Sequence, residues 1–474
     1  MRARVQDRGG AVYYRPGMKS LLLGAFLAGT ALSGCATFSK DGGFDSVAAT
    51  TRLKLGQDVR WARSAGERAK SDAEVAALLE HPLAVDDAVQ VALLNNPGLQ
   101  AAFAELGISE ADLVESGRLP NPRFTLRHSS AGGLYDIEET LTFNVLSLLT
   151  VPYAHATEKR RFAQVQTGLV MQVADLADRT RTAYYTAVAA RESLHYAWQV
   201  KDAAQTSAEL AHRMQGAGNW NRMEQAQQQG FYDQALQDLA RAQLADQRAA
   251  AELDRLLGLR DGAVAVRLSE HLPELPTNIA MLPSLEQTAM QSRLDLQLMR
   301  SQIDELARRL KLTKATRFVD VLDVGPTRVR NGTENDPYEK GYEVSLEIPI
   351  FDSGDARVRK AEAIYAQAVD RLAQAAVDAR ADVRQAAAQY QTAYILAVRQ
   401  HDDVIPLSRA IAKQELLRYN ASLISIFDLL ANSRATVASV NDYIQSARDF
   451  WIAKSHLDTV LVANTPRAAR DAAW

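Results

Sequence analysis

Tyr342-Glu343-Val344-Ser345-Leu346-Glu347-Ile348-Pro349-Ile350-Phe351-Asp352-Ser353-Gly354 decides the reading of the fold. Tyr342, Val344, Leu346 and Ile348 alternate with Glu343, Ser345 and Glu347, the period-two signature of a strand with one apolar and one polar face. Past Gly354 the pattern becomes helical, turns at Arg418-Tyr419-Asn420-Ala421-Ser422-Leu423-Ile424-Ser425, and runs back as helix to about Val462. A strand of membrane length therefore opens into a helix hairpin far longer than a globular domain needs.

The first half of the chain carries the same plan. Leu141, Phe143 and Val145 alternate with Thr140, Thr142 and Asn144, giving a strand over Glu139 to Val145 that pairs with Arg123 to His128. The corresponding partner in the second half is expected over Phe318 to Val324. From Ala154 to Arg213 there is no proline and one glycine, Gly168. A helix of about 60 residues there would run about 90 Å. Gln215-Gly216-Ala217-Gly218-Asn219 ends it, and a return helix from Arg222 to Leu257 closes at Gly258. Upstream, a helix begins at Pro82-Leu83-Ala84-Val85-Asp86, with Asp86 as its cap, and breaks at Asn95-Asn96-Pro97. Leu99, Ala102, Leu106 and Leu113 on the next helix recur 197 residues later as Leu296, Met299, Ile303 and Leu310. The later helices match at an offset of 205, Arg213 with Arg418 and Leu239 with Ile444, so an internal duplication is expected. Pro406 should kink the second long helix.

The amino terminus reads as a targeting segment. Met18-Lys19 is a short basic start, Leu21 to Leu32 is an apolar run too short to span a bilayer, and Leu32-Ser33-Gly34-Cys35 follows. This resembles a bacterial lipoprotein signal, with Cys35, the single cysteine, as the lipidated first residue of the mature chain. Ala36 after it agrees with forwarding to the outer membrane. The expected organisation is 1–34 signal peptide, starting at residue 1 or at Met18; 35–81 lipidated tether, read as extended; 82–270 first repeat; 271–283 linker; 284–464 second repeat; 465–474 tail.

The formal net charge of -3 becomes -7 without the first 34 residues, which leave 49 basic and 56 acidic side chains. A nucleic-acid partner is disfavoured, because phosphate binding needs a concentrated basic face. No catalytic constellation, phosphate loop or nucleophile elbow stands out, and the eight histidines form no metal-ligand spacing, so neither enzyme activity nor a cofactor or metal is expected.

Four strands cannot sit in lipid alone, since edge strands would leave backbone groups without partners. Closure with copies of the same chain is required, and three chains of four strands would give a barrel of 12. Long Ala-rich helices normally mean coiled coil, and twelve of them from three chains could ring a conduit continuous with that barrel.

The doubled helix, hairpin and long-helix plan, together with Pro349-Ile350-Phe351-Asp352-Ser353-Gly354, Arg418-Tyr419-Asn420-Ala421-Ser422-Leu423, Asp428-Leu429-Leu430 and Leu256-Leu257-Gly258-Leu259, resembles the TolC family of outer-membrane efflux proteins. The similarity covers about residues 82 to 463, and the lipid signal points to the branch that serves exporters of the resistance-nodulation-division type. The resemblance implies a mostly α-helical homotrimer with a lipid-anchored outer-membrane β-barrel and a periplasmic helical tunnel. A tip would dock on a periplasmic adaptor protein, and an inner-membrane pump would supply the energy. The turns Gly216, Ala217, Gly218 and Ala421, Ser422, Leu423 match the docking loops, and Asp428 matches an acidic gate position. A second acid of that gate is Ala431 here and an arginine position is Ile424, leaving the expected gate one layer deep. A coiled-coil lipoprotein without a pore, and an exit duct for protein secretion, are the competing readings; amphipathic hairpins speak against the first and lipidation against the second.

Overall fold

The computed structural model describes residues 37–259, 266–279, 283–318, 321–333, 335–347, 350–424 and 426–463; the side chains of 283–284, 426–428 and 430–434 lie outside that description. In chain order the elements are α1 (Phe44–Leu55), α2 (Ala65–Leu79), α3 (Val85–Asn95), α4 (Pro97–Ser116), β1 (Arg123–Ala131), β2 (Leu134–Asn144), α5 (Val145–Gly216) and α6 (Arg222–Leu257). There follow α7 (Pro283–Ser292), α8 (Leu294–Ala315), β3 (Leu322–Gly332), β4 (Glu339–Leu346), α9 (Asp355–Arg399), a π-helical turn (Gln400–Val404), α10 (Ile405–Asn420) and α11 (Ile426–Val462). Two compact units result. Among the described residues, one gathers 37–42, Ile108–Phe162 and Ala315–Asp355, and the other holds the rest.

The first unit is built on a four-stranded antiparallel sheet in the order β1-β2-β3-β4. The β2–β3 pairing, Tyr135 opposite Gly332 through Asn144 opposite Asp323, joins the hairpin of one half to that of the other. β3 does not follow the expected Phe318 to Val324. It starts at Leu322 and continues through Gly325-Pro326, a dipeptide that reads as a strand stop. Gly325 is needed there because a Cβ would collide with the Leu141 carbonyl oxygen on the neighbouring strand. Next to the sheet, the Ser39 backbone N–H and Oγ both donate to the buried Glu110 carboxylate, at 2.6 and 2.5 Å.

The second unit is helical. Residues 44–79 are not an extended tether: α1 and α2 are formed, α2 behind a Ser64/Glu67 capping box, and Val47, Thr51, Val75 and Leu79 are buried. The apolar positions there are too few to make a periodic signal, yet Val47, Val75 and Leu79 suffice to seat both helices. Asp86 is not a cap either. Ala84 holds that position, and Asp86 and Asp87 fall in the first turn, where they face the positive end of the helix dipole. α5 runs for 72 residues and contains Pro152, so it starts at Val145 rather than Ala154.

The core of this unit lies where α9 and α11 meet α7, around Ala289, Val383, Ala387, Tyr390 and the fully buried Phe450. Tyr390 stacks on Phe450 (5.4 Å, 25°) and Tyr185 stacks on the adjacent Trp451 (5.7 Å, 24°). Tyr185 and Tyr390 are 205 residues apart, the offset at which the sequence of the later helices matches. Burial pushes the Tyr185 phenol up to about 12, with Arg181 opposing and Asp86 adding to it. The linker is pinned to the same core: Trp451 Nε1 donates to the Pro273 carbonyl (3.1 Å) and Tyr394 Oη to that of Pro276 (3.0 Å).

The two breaks that start the buried helices are handled alike. The Asn95 amide donates to the carbonyls of Leu257 and Gly258, and Asn96 to that of Leu256, all at 2.9 Å, closing the end of α6. In the second half Ser292 Oγ donates to Leu461 (3.0 Å) near the end of α11, while Arg293, 1% exposed, pairs with Asp295 (2.6 Å) and Asp382 (3.6 Å). Pro406 is where the long helix of the second half is disturbed. Proline has no N–H for the Asp402 carbonyl and its ring would strike that oxygen, and the preceding turn widens so that Ile405 N donates to Gln400 O.

Candidate barrel face and helix tips

Strand alternation sorts the sheet into two faces, and the register fixes their membership. Phe124 lies opposite Leu141, Phe143 opposite Val324, Val324 opposite Val344, and Leu322 opposite Leu346. These residues and Tyr342, opposite Pro326, share one face. In the chain the outer strands are the most uncovered, with Tyr342 80% exposed, Phe124 62% and Val344 55%, while Leu141, Leu322 and Val324 are half-buried. The other face carries Thr125, Thr140, Thr327 and Gly341 in one row and Asn144, Asp323 and Ser345 in another. Thr140 and Thr327 share a hydrogen bond of 2.9 Å across β2 and β3. The strands span 9, 11, 11 and 8 residues, close to the 9–11 that cross a bilayer at a tilt. β1 and β4 are the edges, each paired on one side only within the sheet.

The helix tips are formed by one hydrogen-bond motif used twice. At the first, Gly218 N donates to Gln215 O (3.0 Å) and Asn219 N to Met214 O (2.9 Å), with Gly218 in the left-handed region at φ 79. At the second, Ser422 N donates to Tyr419 O and Leu423 N to Arg418 O, both at 2.8 Å, with Ser422 at φ 57. Both are Schellman endings, which satisfy the last carbonyls of a helix. In hydrogen bonds the tips correspond at an offset of 204, one less than the flanking helices. Gly216, Ala217, Gly218, Ala421, Ser422 and Leu423 are all exposed, Leu423 at 69%. After the first tip Asn221 and Glu224 form a capping box that starts α6.

Asp428 belongs to α11, in its first turn, but its side chain lies outside the described residues, as do the side chain of Ala431 and the whole of Cys35. Ile424 sits at the second tip, half-buried. Among the described residues no group of His, Cys, Asp and Glu is disposed to hold a metal ion, and no helix is long and apolar enough to cross a membrane. Sequence reasoning missed the charged rows nearest the hairpin turns. There Arg328 is ion-paired with Glu139, and the guanidinium groups of Arg328 and Arg330 lie 5.1 and 4.8 Å from the Tyr338 ring. The Arg-Val-Arg alternation at 328–330 is the signal that would have shown this strand.

No protein-family model matches the sequence. A curated relative, protein CyaE of Bordetella pertussis, is 28% identical over 340 residues, spanning 65% of this chain and 71% of its own. Among solved structures, the Campylobacter jejuni CmeC outer membrane channel superposes with a TM-score of 0.68 at 14% identity, over 80% of this chain and 85% of that one. The open state of the Neisseria gonorrhoeae MtrE outer membrane channel gives 0.66 at 16% identity, over 80% and 89%.

Proposed function

We propose that this chain, which has the fold of the TolC-family outer-membrane channels, is the outer-membrane channel of an efflux system. The observation that carries the proposal is the two-faced sheet with two open edges. An apolar face left to water would expose large side chains that lipid would cover, and edge strands in lipid would leave backbone groups unpaired. Three copies joined β4 to β1 answer both demands, giving a 12-stranded barrel with the threonine-rich face toward a water-filled lumen. The duplicated plan of the sequence provides each copy with two hairpins and two helix pairs, and the matched tips and paired tyrosines support that reading.

In this function the chain is a passive conduit. Cys35 carries the lipid anchor, the tips at Gly216–Gly218 and Ala421–Leu423 dock on a periplasmic adaptor, and an inner-membrane pump supplies the energy. Asp428, one helical turn past the second tip, contributes three symmetry-related carboxylates that favour cations. The trimer, the pore and the anchor each have a readout. The native mass in detergent should be three times that of the processed chain, and planar bilayers should conduct, with a cation preference that Asp428→Ala reduces. Cys35→Ser should abolish palmitate labelling. A stable monomer that retains its strand content would overturn the channel reading, since four strands alone cannot close in lipid.

A further inference from the structure

The apolar face of the sheet does not remain apolar along its length. Moving from the row Phe124, Leu141, Pro326 and Tyr342 toward the hairpin turns, the next row on the same face is Leu126, Glu139, Arg328 and Lys340. The row after it holds His128, Ile137 and Arg330. Each row lies about 7 Å beyond the last. Counted over the four strands, this face carries three bases and one acid, while the opposite face carries two bases and five acids. Charge of one sign is thus sorted to the face that bears the apolar belt and confined to one end of it.

We infer that Arg328, Arg330 and Lys340, with Tyr338, form a binding rim for the phosphate groups of phosphorylated glycolipid in the surrounding leaflet. The inference rests on the barrel reading above. On a lipid-facing surface, cationic side chains are costly at the midplane and tolerated near the interfaces, so three of them in two adjacent rows at one end of the face mark the height of the headgroups. Tyr338, whose ring is about 5 Å from both guanidinium groups, is the residue type enriched at that level. Arginine forks match phosphate oxygens in paired hydrogen bonds, and Lys340 is exposed beside them as a point charge. Glu139 accepts from Arg328 and fixes its direction. The other ends of β2 and β4 lead into the helices, β2 directly into α5 at Val145. The basic rows therefore stand at the end away from the helices, which the channel reading assigns to the outer leaflet.

The test uses the full-length protein in micelles doped with bisphosphorylated lipid A, its dephosphorylated form, or inorganic phosphate alone, read by native mass spectrometry and thermal midpoint. The wild type should retain the bisphosphorylated lipid and discriminate against the dephosphorylated form. Lys340→Gln should weaken retention about fivefold, and the triple variant with Arg328→Gln and Arg330→Gln about a hundredfold. Equal retention of the two lipids, equal retention by wild type and triple variant, or full displacement by inorganic phosphate at millimolar concentration would overturn the rim. Planar-bilayer conductance separates the two readings: it should persist in Lys340→Gln and in the triple variant, whereas its absence in the wild type would strike the channel reading itself.

Discussion

Where the first half of the chain ends its outgoing helix, Gly218 takes the left-handed conformation at φ 79; where the second half does so, Ser422 takes it at φ 57. The hydrogen bonds are the same and the residues are not. At the inner junctions Asn95 and Asn96 close the end of α6 with three amide bonds, while Ser292 supplies one such bond and Arg293 turns to carboxylates instead. Between tip and junction, α5 is continuous for 72 residues and its counterpart is broken by a π-helical turn before Pro406. What the halves share is a set of backbone groups that must be satisfied. The side chains that satisfy them differ, and the second half meets the same demands with more strain and fewer bonds.

The largest difference should appear at the return-helix ends. Gly258 is left-handed (φ 69), and a Cβ there would stand 2.8 Å from the Asn95 carbonyl oxygen. Gly258→Ala combines backbone strain with a clash against backbone and should cost about 2–3 kcal/mol. At the corresponding end of α11, Ala463 N makes an ordinary helical bond to Thr459 O (2.8 Å), and Ala463→Gly should cost less than about 1 kcal/mol. Thermal midpoints of both variants in one detergent decide this; equal losses would mean that the two ends are equivalent after all.

Much of this architecture was legible because it is written in periodicity. The alternation at 342–346 and 140–144, the bare helical stretch after Ala154, and the glycine turn at 216–218 each report a local rule, and α6 coincides with its expected limits, Arg222 to Leu257; Val145, expected to end the strand, instead begins α5, and Ile348 lies outside the described residues. What escaped was set by neighbours distant in sequence. Gly325-Pro326 reads as a stop until β2 is known to pass within contact of Gly325. Asn95 and Asn96 read as a break before a proline, and their amides gain a role only once the end of α6, about 160 residues on, is brought against them. The basic rows of the sheet face likewise needed the register, since Arg328 and Lys340 share a row only through the β3–β4 pairing. For the proposed channel, the docking role of the turns and the gate role of Asp428 came from resemblance, and the two-faced strands from pattern.

The junctions offer the next contrast. Asn96→Ala leaves the Leu256 carbonyl and the Leu99 N–H without their side-chain partner and should cost about 1–2 kcal/mol. Ser292→Ala removes a hydroxyl whose one proton is shared between Thr288 O (2.7 Å) and Leu461 O (3.0 Å) and should cost about 0.5–1 kcal/mol. A larger loss at Ser292 would place the weight of the second junction on that hydroxyl rather than on the buried Arg293. Pro406 sets the third contrast. Pro406→Ala restores a donor and removes the ring clash, so amide exchange over residues 402–410 should slow by about fivefold, equivalent to about 1 kcal/mol. Exchange that stays fast would show that the π-helical turn is held by packing and not by proline.

The smallest effect should come from exchanging the tip residues. Ser422 in the left-handed region bears the Cβ–carbonyl crowding that a glycine avoids, worth about 1 kcal/mol, against which glycine loses more chain entropy on folding. Ser422→Gly should therefore stabilise by no more than about 0.5–1 kcal/mol, and Gly218→Ser should destabilise by a similar amount, since a Cβ at Gly218 meets nothing within 4 Å. Neither change disturbs the Schellman bonds, which use backbone atoms only. The double variant exchanges the conformational cost between tips while conserving composition, so its midpoint should return to within about 0.5 kcal/mol of wild type. If the tips engage a partner through their backbone shape, the double variant should also retain that binding. A net loss of stability would instead mean that the Ser422 side chain makes an interaction in the assembly that Gly218 does not, and would locate the asymmetry of the two hairpins at the tips themselves.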